Sequence, residues 1–291
     1  MSDYTLHVYH NGMPIQDPVT ATYLFAAVLI AALALTARLR KPDGFSPDVV
    51  QELKGFAIIA IVLSHVGYFL FSDHRFLFPL STLAGVGVDL FLLVSGFGLA
   101  ASALKKTRNP LDFYKRRMDK LFVPLWTALA IFFAADFFVL GKTYAVDTVV
   151  GSFLGWFPTA DLYNDLNSPL WYITLIIFFY LVFPLLFSSR RPLVSSALVL
   201  AAGYAVHYVT LPLLSGVAHL HELHLWAFPV GTALAGLMHG RQIGVIKHTA
   251  LYYGVLLGLA SGVGYLTLHS NIGMGVFWEQ GTSILTALLV S

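Results

Sequence analysis

The chain of 291 residues contains no cysteine. That removes a disulfide framework, a thiolate nucleophile and any cysteine-held metal site. Charge is scarce as well: Asp, Glu, Lys and Arg make up 11% of the residues, against 57% hydrophobic ones. Soluble domains carry about 25% charged residues, so the composition excludes an ordinary soluble protein and points to one built in lipid. Residues 1–18 hold no lysine or arginine, which excludes the basic start of a cleavable secretory signal. No internal repeat or low-complexity tract is present. A net charge of +2 leaves no broad basic footprint, and no nucleic-acid partner is expected.

What the chain does have is long apolar runs and many aromatics, 23 Phe, 14 Tyr and 5 Trp, as suits lipid-facing surfaces and interfacial belts. Apolar segments at residues 19–37, 54–71, 85–104, 121–140, 170–187, 193–214, 224–238 and 249–268 read as membrane helices. Pro124 is expected in the first turn of its span, where proline is tolerated. Residues 148–157 are too few to cross and read as a re-entrant or interfacial piece. The final apolar run, 281–291, ends after eleven residues, too few to span. An incomplete last helix is the expectation, and a half-span packed against protein the alternative. The fold class is therefore all-α: a polytopic transmembrane bundle of about nine to ten spans, the last cut short.

The basic residues orient it. With residues 1–18 as a polar extracytoplasmic N-terminus, all 17 lysines and arginines except Arg75 and Lys142 fall on the inner side. That asymmetry predicts a multi-pass cytoplasmic membrane protein, N-terminus outside, in contact with membrane lipids.

The stretch QELKGFAIIAIVLSHVGY, residues 51–68, organises the rest. Lys54 and His65 stand eleven positions apart, close to three full turns, so both share one helix face about 16 Å apart along the axis. Lys54 can sit at the inner surface while His65 lies within the bilayer. An ionisable group there faces a cavity or partner and is a functional candidate, the alternative being a packing hydrogen bond between helices.

Asp89, in the helix at 85–104, is expected near the depth of His65, where a carboxylate would orient the imidazole. The alternative is a cap on its own helix N-terminus. Gly85, Gly87, Gly96 and Gly98 allow close helix approach, and Ser95-Gly96 is packing rather than a nucleophile elbow. Lys105, Lys106, Arg108, Lys115, Arg116, Arg117 and Lys120 form the densest charge cluster in the chain. It serves as a positive-inside marker or, around Arg116 and Arg117, as part of a phosphate site with Lys54. His207 reads as an interhelical hydrogen bond. The run His219–His224 reads as a solvated outer loop, and no metal site is expected because HExxH spacing is absent. Asp161, Asp165 and Asn167 could meet sugar hydroxyls from outside.

Four stretches in order carry a family resemblance. ELKGFAIIAIVLSHVGY, GVGVDLFLLVSGFGLA, DFYKRRMDKLFVPLW and SPLWYITLIIFFYLVFPLLF resemble the motifs of the acyltransferase type 3 family, membrane enzymes that O-acylate envelope sugars, lipids and related acceptors. The likeness covers residues 51–187. Lys54 stands where the family usually has arginine, Lys120 replaces another arginine, and Ile176 stands where a glutamate is frequent. The span at 19–37 is additional to the commonest layout. The resemblance implies a single acyltransferase-like transmembrane domain over residues 19–291. It implies an acyl-CoA donor, acetyl-CoA being the expected case, with phosphates on Lys54, Arg116 and Arg117. His65 would be general base or transient acyl carrier, supported by Asp89, and the acceptor a glycan or glycolipid hydroxyl. Two other classes remain at this stage: a proton-coupled transporter using His65 and Asp89, and a catalytically silent scaffold.

Overall fold

The computed structural model describes residues 14–36, 47–70, 76–77, 83–106, 109–161, 166, 168–210 and 213–239, with 254, 258 and 261. Among these, every regular element is helical and no strand occurs. In chain order the helices are α1 (Pro18–Thr36), α2 (Pro47–Leu70), α3 (Leu83–Lys105), α4 (Pro110–Leu140), α5 (Val146–Phe153), α6 (Trp171–Leu186), α7 (Pro192–Thr210), α8 (Ala218–His224) and α9 (Ala227–Met238). A 3-10 turn, Ser168–Leu170, leads into α6. Four of the described helices, α2, α3, α4 and α7, are long and apolar enough to cross a membrane. The expected spans at 249–268 and 281–291 lie outside the described residues.

Several boundaries differ from those read in the sequence. α4 begins eleven residues earlier than expected, because Asn109 caps it, its side-chain oxygen accepting from the Leu111 amide at 3.0 Å, and Pro110 supplies the first turn. At about 1.5 Å per residue its 31 residues exceed the ~30 Å hydrocarbon core, so the charged first turns extend beyond lipid. Pro124 is consequently interior to α4, not in its first turn, a placement that transmembrane helices accommodate. The segment expected at 224–238 starts at Ala227, after a break that separates α8 from α9. The piece at 148–157 folds as the eight-residue α5 followed by a turn at Gly155, whose φ of 78° suits glycine. It is short, as expected.

Two compact units divide the chain, with one boundary inside α3 between Phe91 and Leu92. In the first unit, α1 is fastened to residues 76–77: the Leu77 amide donates to Thr22 Oγ1 at 2.8 Å. In the second unit, α3 and α9 meet backbone to backbone. A Cβ on Gly96 would overlap the Phe228 carbonyl, and one on Gly231 the Leu93 carbonyl. Phe228 is fully buried there, stacked on Phe179 of α6 with centroids 4.6 Å apart. α4 lies at the edge of this core. Only Leu125 and Leu129 are buried among its 31 residues, while Ile131, Phe138 and Val139 are exposed, an apolar surface appropriate to lipid.

Candidate functional site

In the first unit, α2 carries both residues of the leading motif. Lys54 is half-buried two turns into the helix, which starts at Pro47 rather than near Lys54. His65 is half-buried and held within its own helix. Its Nδ1 lies 2.7 Å from the Ile61 carbonyl and 3.3 Å from Ser64 Oγ, and the same carbonyl accepts from Ser64 Oγ at 2.7 Å. A carbonyl can only accept, so Nδ1 bears the proton and the imidazole lone pair belongs to Nε2.

Asp89 lies in the same unit, fully buried on α3. The helices α2 and α3 touch close by: a Cβ on Gly87 would come within 2.7 Å of both the Ala57 carbonyl and Ile61 Cγ1. Asp89 follows Gly87 by two residues, and His65 follows Ile61 by one turn. Asp89 is the seventh residue of α3, whose first turn contains no acidic residue. The reading of Asp89 as an N-terminal cap is therefore set aside, since dipole and capping effects fade after the first turn. Of the motif glycines, Gly87 and Gly96 make close approaches. Gly98 is exposed, with nothing near the position of its missing Cβ.

The second unit contains a cavity of about 500 Å³ at the α3, α4 and α6–α7 ends. Arg116 and Arg117, singled out from the sequence, both line it, and Lys106 and Arg190 join them. None of the described residues that line it is acidic. Aromatic rings line it as well: Phe113 stacks on Phe183 at 6.0 Å and Phe183 on Phe187 at 4.7 Å. The walls are fastened in place. Tyr114 donates from its hydroxyl to the Leu181 carbonyl at 2.9 Å, joining α4 to α6. Arg117 lies 6.0 Å above the Tyr180 ring, and the Tyr180 hydroxyl is 3.0 Å from Ser95 Oγ. The turn bearing Arg190 is pinned by Ser195 Oγ, which accepts from the Ser188 amide at 2.9 Å and donates to the Arg191 carbonyl at 3.1 Å. Lys54 belongs to the first unit, and the described residues lining this cavity belong to the second. Lys106 and Arg190 appear in the sequence only as marks of span ends, and their shared role depends on packing.

A smaller cavity of about 260 Å³ in the second unit is mostly apolar, with His207 and His221 in its wall. The run His219–His224 is a short helix here, not a solvated loop: His221 and His224 are buried. Trp171 explains this, since His224 stacks on its ring at 5.5 Å and His221 Nε2 lies 3.4 Å from its carbonyl. Burial lowers the His221 pKa to about 4, opposed by the Trp171 carbonyl and assisted by His207 and His224. His207 Nε2 is 3.8 Å from Glu222 Oε2, a charge contact between α7 and α8 that is longer than a hydrogen bond. Asp161 is exposed, and Asp165 and Asn167 lie outside the described residues.

Comparison with known proteins decides the family. The profile of the acyltransferase type 3 family, described as an acyltransferase domain, matches residues 52–291. The chain belongs to that family. It is also similar to the acyltransferase MdmB of Streptomyces mycarofaciens, 30% identical over 172 residues, which are 55% of this chain and 44% of the relative. The match thus spans less than half the length of that curated relative. No solved structure matches. The family match extends about a hundred residues beyond the four motifs and includes His65, Asp89 and the cationic cavity.

Proposed function

We propose that the protein is a membrane O-acyltransferase that moves an acyl group, acetyl in the expected case, from a cytoplasmic acyl-CoA to a hydroxyl of a glycan or glycolipid. The observation that carries this reading, in a chain of this family, is the His65 ring. Its Nδ1–H is committed to Ile61, which leaves Nε2 as the basic atom. In the reaction, the acceptor oxygen forms a bond to the thioester carbonyl carbon as Nε2 takes the hydroxyl proton. The C–S bond then breaks, and the proton passes from Nε2 to the departing CoA sulfur, giving an ester and free CoA. A base positioned in this way contributes about 10²–10⁴ in rate. Asp89 is assigned the role of favouring the imidazolium that forms on the way. Arg116, Arg117 and Lys54 are assigned to the donor phosphates, a role for which guanidinium groups are suited by their paired N–H donors.

The enzyme is assigned to the cytoplasmic membrane with its N-terminus outside. The distribution of lysine and arginine supports this orientation.

Transfer of radiolabelled acetyl from acetyl-CoA to envelope carbohydrate, in membranes bearing wild type or His65→Gln at equal expression, tests the reading. Label with wild type and a loss of at least 100-fold with the variant is expected. Equal labelling by both would remove His65 from the chemistry. A protein that carries solute but transfers no label would return the transporter reading.

A further inference from the structure

We infer that the smaller cavity of the second unit is a lipid site, which takes a hydrocarbon chain of a bilayer phospholipid. The cavity, of about 260 Å³, lies among α6, α7, α8 and the turn after α5. No lysine, arginine, aspartate or glutamate is among the described residues that line it. Its hydroxyl and imidazoles are engaged with the protein. Thr174 Oγ1 accepts from the Phe157 amide and donates to the Gly155 carbonyl. His221 Nε2 lies 3.4 Å from the Trp171 carbonyl, and His207 Nε2 faces Glu222. An ordered water needs about two to four polar partners, so walls of this kind favour hydrocarbon instead. An apolar cavity of about 150 Å³ already takes a benzene ring, and this larger one has room for a run of methylenes but not for a whole lipid. Gly203 keeps the space open: a Cβ there would stand 3.3 Å from Leu225 Cδ2 and 3.9 Å from Phe178 Cε1, on two side chains of the cavity wall.

The same walls reach the protein surface. Leu175, Leu214 and Leu225 are buried and form the floor, whereas Leu154, Trp156, Leu181 and Val206 are exposed and form the rim. An apolar rim on membrane helices faces acyl chains, so the occupant enters sideways from the bilayer. Aromatic residues with polar tips gather at this end of the unit. Trp226 Nε1 donates to the Tyr204 hydroxyl at 2.8 Å, and Tyr204 stacks on Tyr208 with centroids 6.5 Å apart. Together with Trp156 at the rim, they mark the level at which lipid headgroups begin. A chain seated beside this belt leaves its headgroup at the surface and the rest of the lipid in the membrane, as a phospholipid does. Its methylenes supply dispersion contacts to walls that have no protein atoms on the cavity side. Binding there involves no acyl transfer.

The test is photo-cross-linking of the purified full chain in excess detergent, which dilutes away lipids in loose contact. The probe is a trace of phosphatidylcholine carrying a diazirine within one acyl chain, and labelled residues are mapped by mass spectrometry. In wild type, labelling at Leu154 and Trp156 should exceed that at the exposed α4 residues Phe138 and Val139 several-fold. An excess of phosphatidylcholine without the diazirine should bring the rim signal down to the α4 level. Val206→Trp and Leu181→Trp each place an indole at the mouth and should lower labelling at Leu154 and Trp156 several-fold. Both positions are exposed, so the melting temperature should stay nearly unchanged. Label spread evenly over rim and α4, or indifferent to the competitor, would mean loose contact with bulk lipid only and overturn the site. Rim labelling unchanged in both variants would overturn the cavity as the place of binding. A diazirine fatty acid that labels the rim more strongly than the phospholipid would overturn a bilayer phospholipid as the occupant.

Discussion

Acidification should destabilise the protein through His221. In the folded chain burial holds this imidazole at a pKa of about 4, against an ordinary value of 6.5. The unfolded chain therefore takes up a proton between those values that the folded chain refuses. Stability is complete above about pH 6.5 and falls as pH drops through the interval towards 4, where both states are protonated. At ~1.4 kcal/mol per pH unit, the interval corresponds to about 3 kcal/mol, a substantial fraction of an ordinary domain's stability. The assay is reversible unfolding in mild detergent at pH steps from 7.5 to 4, followed by tryptophan fluorescence. The comparison is with His221→Gln, whose amide can still donate to the Trp171 carbonyl but does not titrate. Between pH 7 and 4 the wild type should lose about 3 kcal/mol more than the variant. Parallel curves for the two proteins would show that folding does not lower the His221 pKa, and would refute the reading of a buried imidazole that refuses the proton.

Three further outcomes follow from the same contacts. Thr174→Val should cost about 2–4 kcal/mol in unfolding free energy, because Thr174 Oγ1 accepts from the Phe157 amide at 2.8 Å and donates to the Gly155 carbonyl at 3.0 Å. Thr174→Ser should recover most of that, and a valine variant as stable as the serine one would deny the bond its role. Gly231→Leu should lower thermal stability by about 1–3 kcal/mol or more, since α9 would be forced off the Leu93 carbonyl. Gly98→Leu, with open space around it, should leave the melting temperature nearly unchanged and serves as the control. Asp89→Asn should reduce turnover with little change in donor KM if the carboxylate supports His65. Full turnover with a modest loss of stability would make Asp89 a structural residue.

The helical class and the family were legible because both rest on local pattern. Apolar runs and their basic flanks mark helices, and the four motifs preserve order and spacing. Local cues also misled where a second element settles the outcome. His219–His224 has the composition of a loop, yet Trp171 buries two of its imidazoles. The start of α4 was hidden by its charges, although Asn109 and Pro110 are an ordinary cap and first turn. Hydropathy ends a span where charge begins, whereas a helix ends only where its backbone bonds do.

The motif on α6 shows how one sequence signature serves two places. Trp171 opens the helix and packs against His221 and His224 at one end. Twelve residues on, Phe183 and Pro184 line the cationic cavity at the other, about 18 Å away along the axis. Between them Thr174 fixes the turn after α5, and Tyr180 lies beside both Ser95 and Arg117. The helix therefore acts as a strut whose two ends have different environments, one of buried imidazoles and one of guanidinium and aromatic groups. A motif of this kind is conspicuous in sequence because many contacts depend on it, but its letters say nothing of how its two ends differ. Four residues beyond the last turn of α6, Arg190 joins Lys106, Arg116 and Arg117 in one cavity.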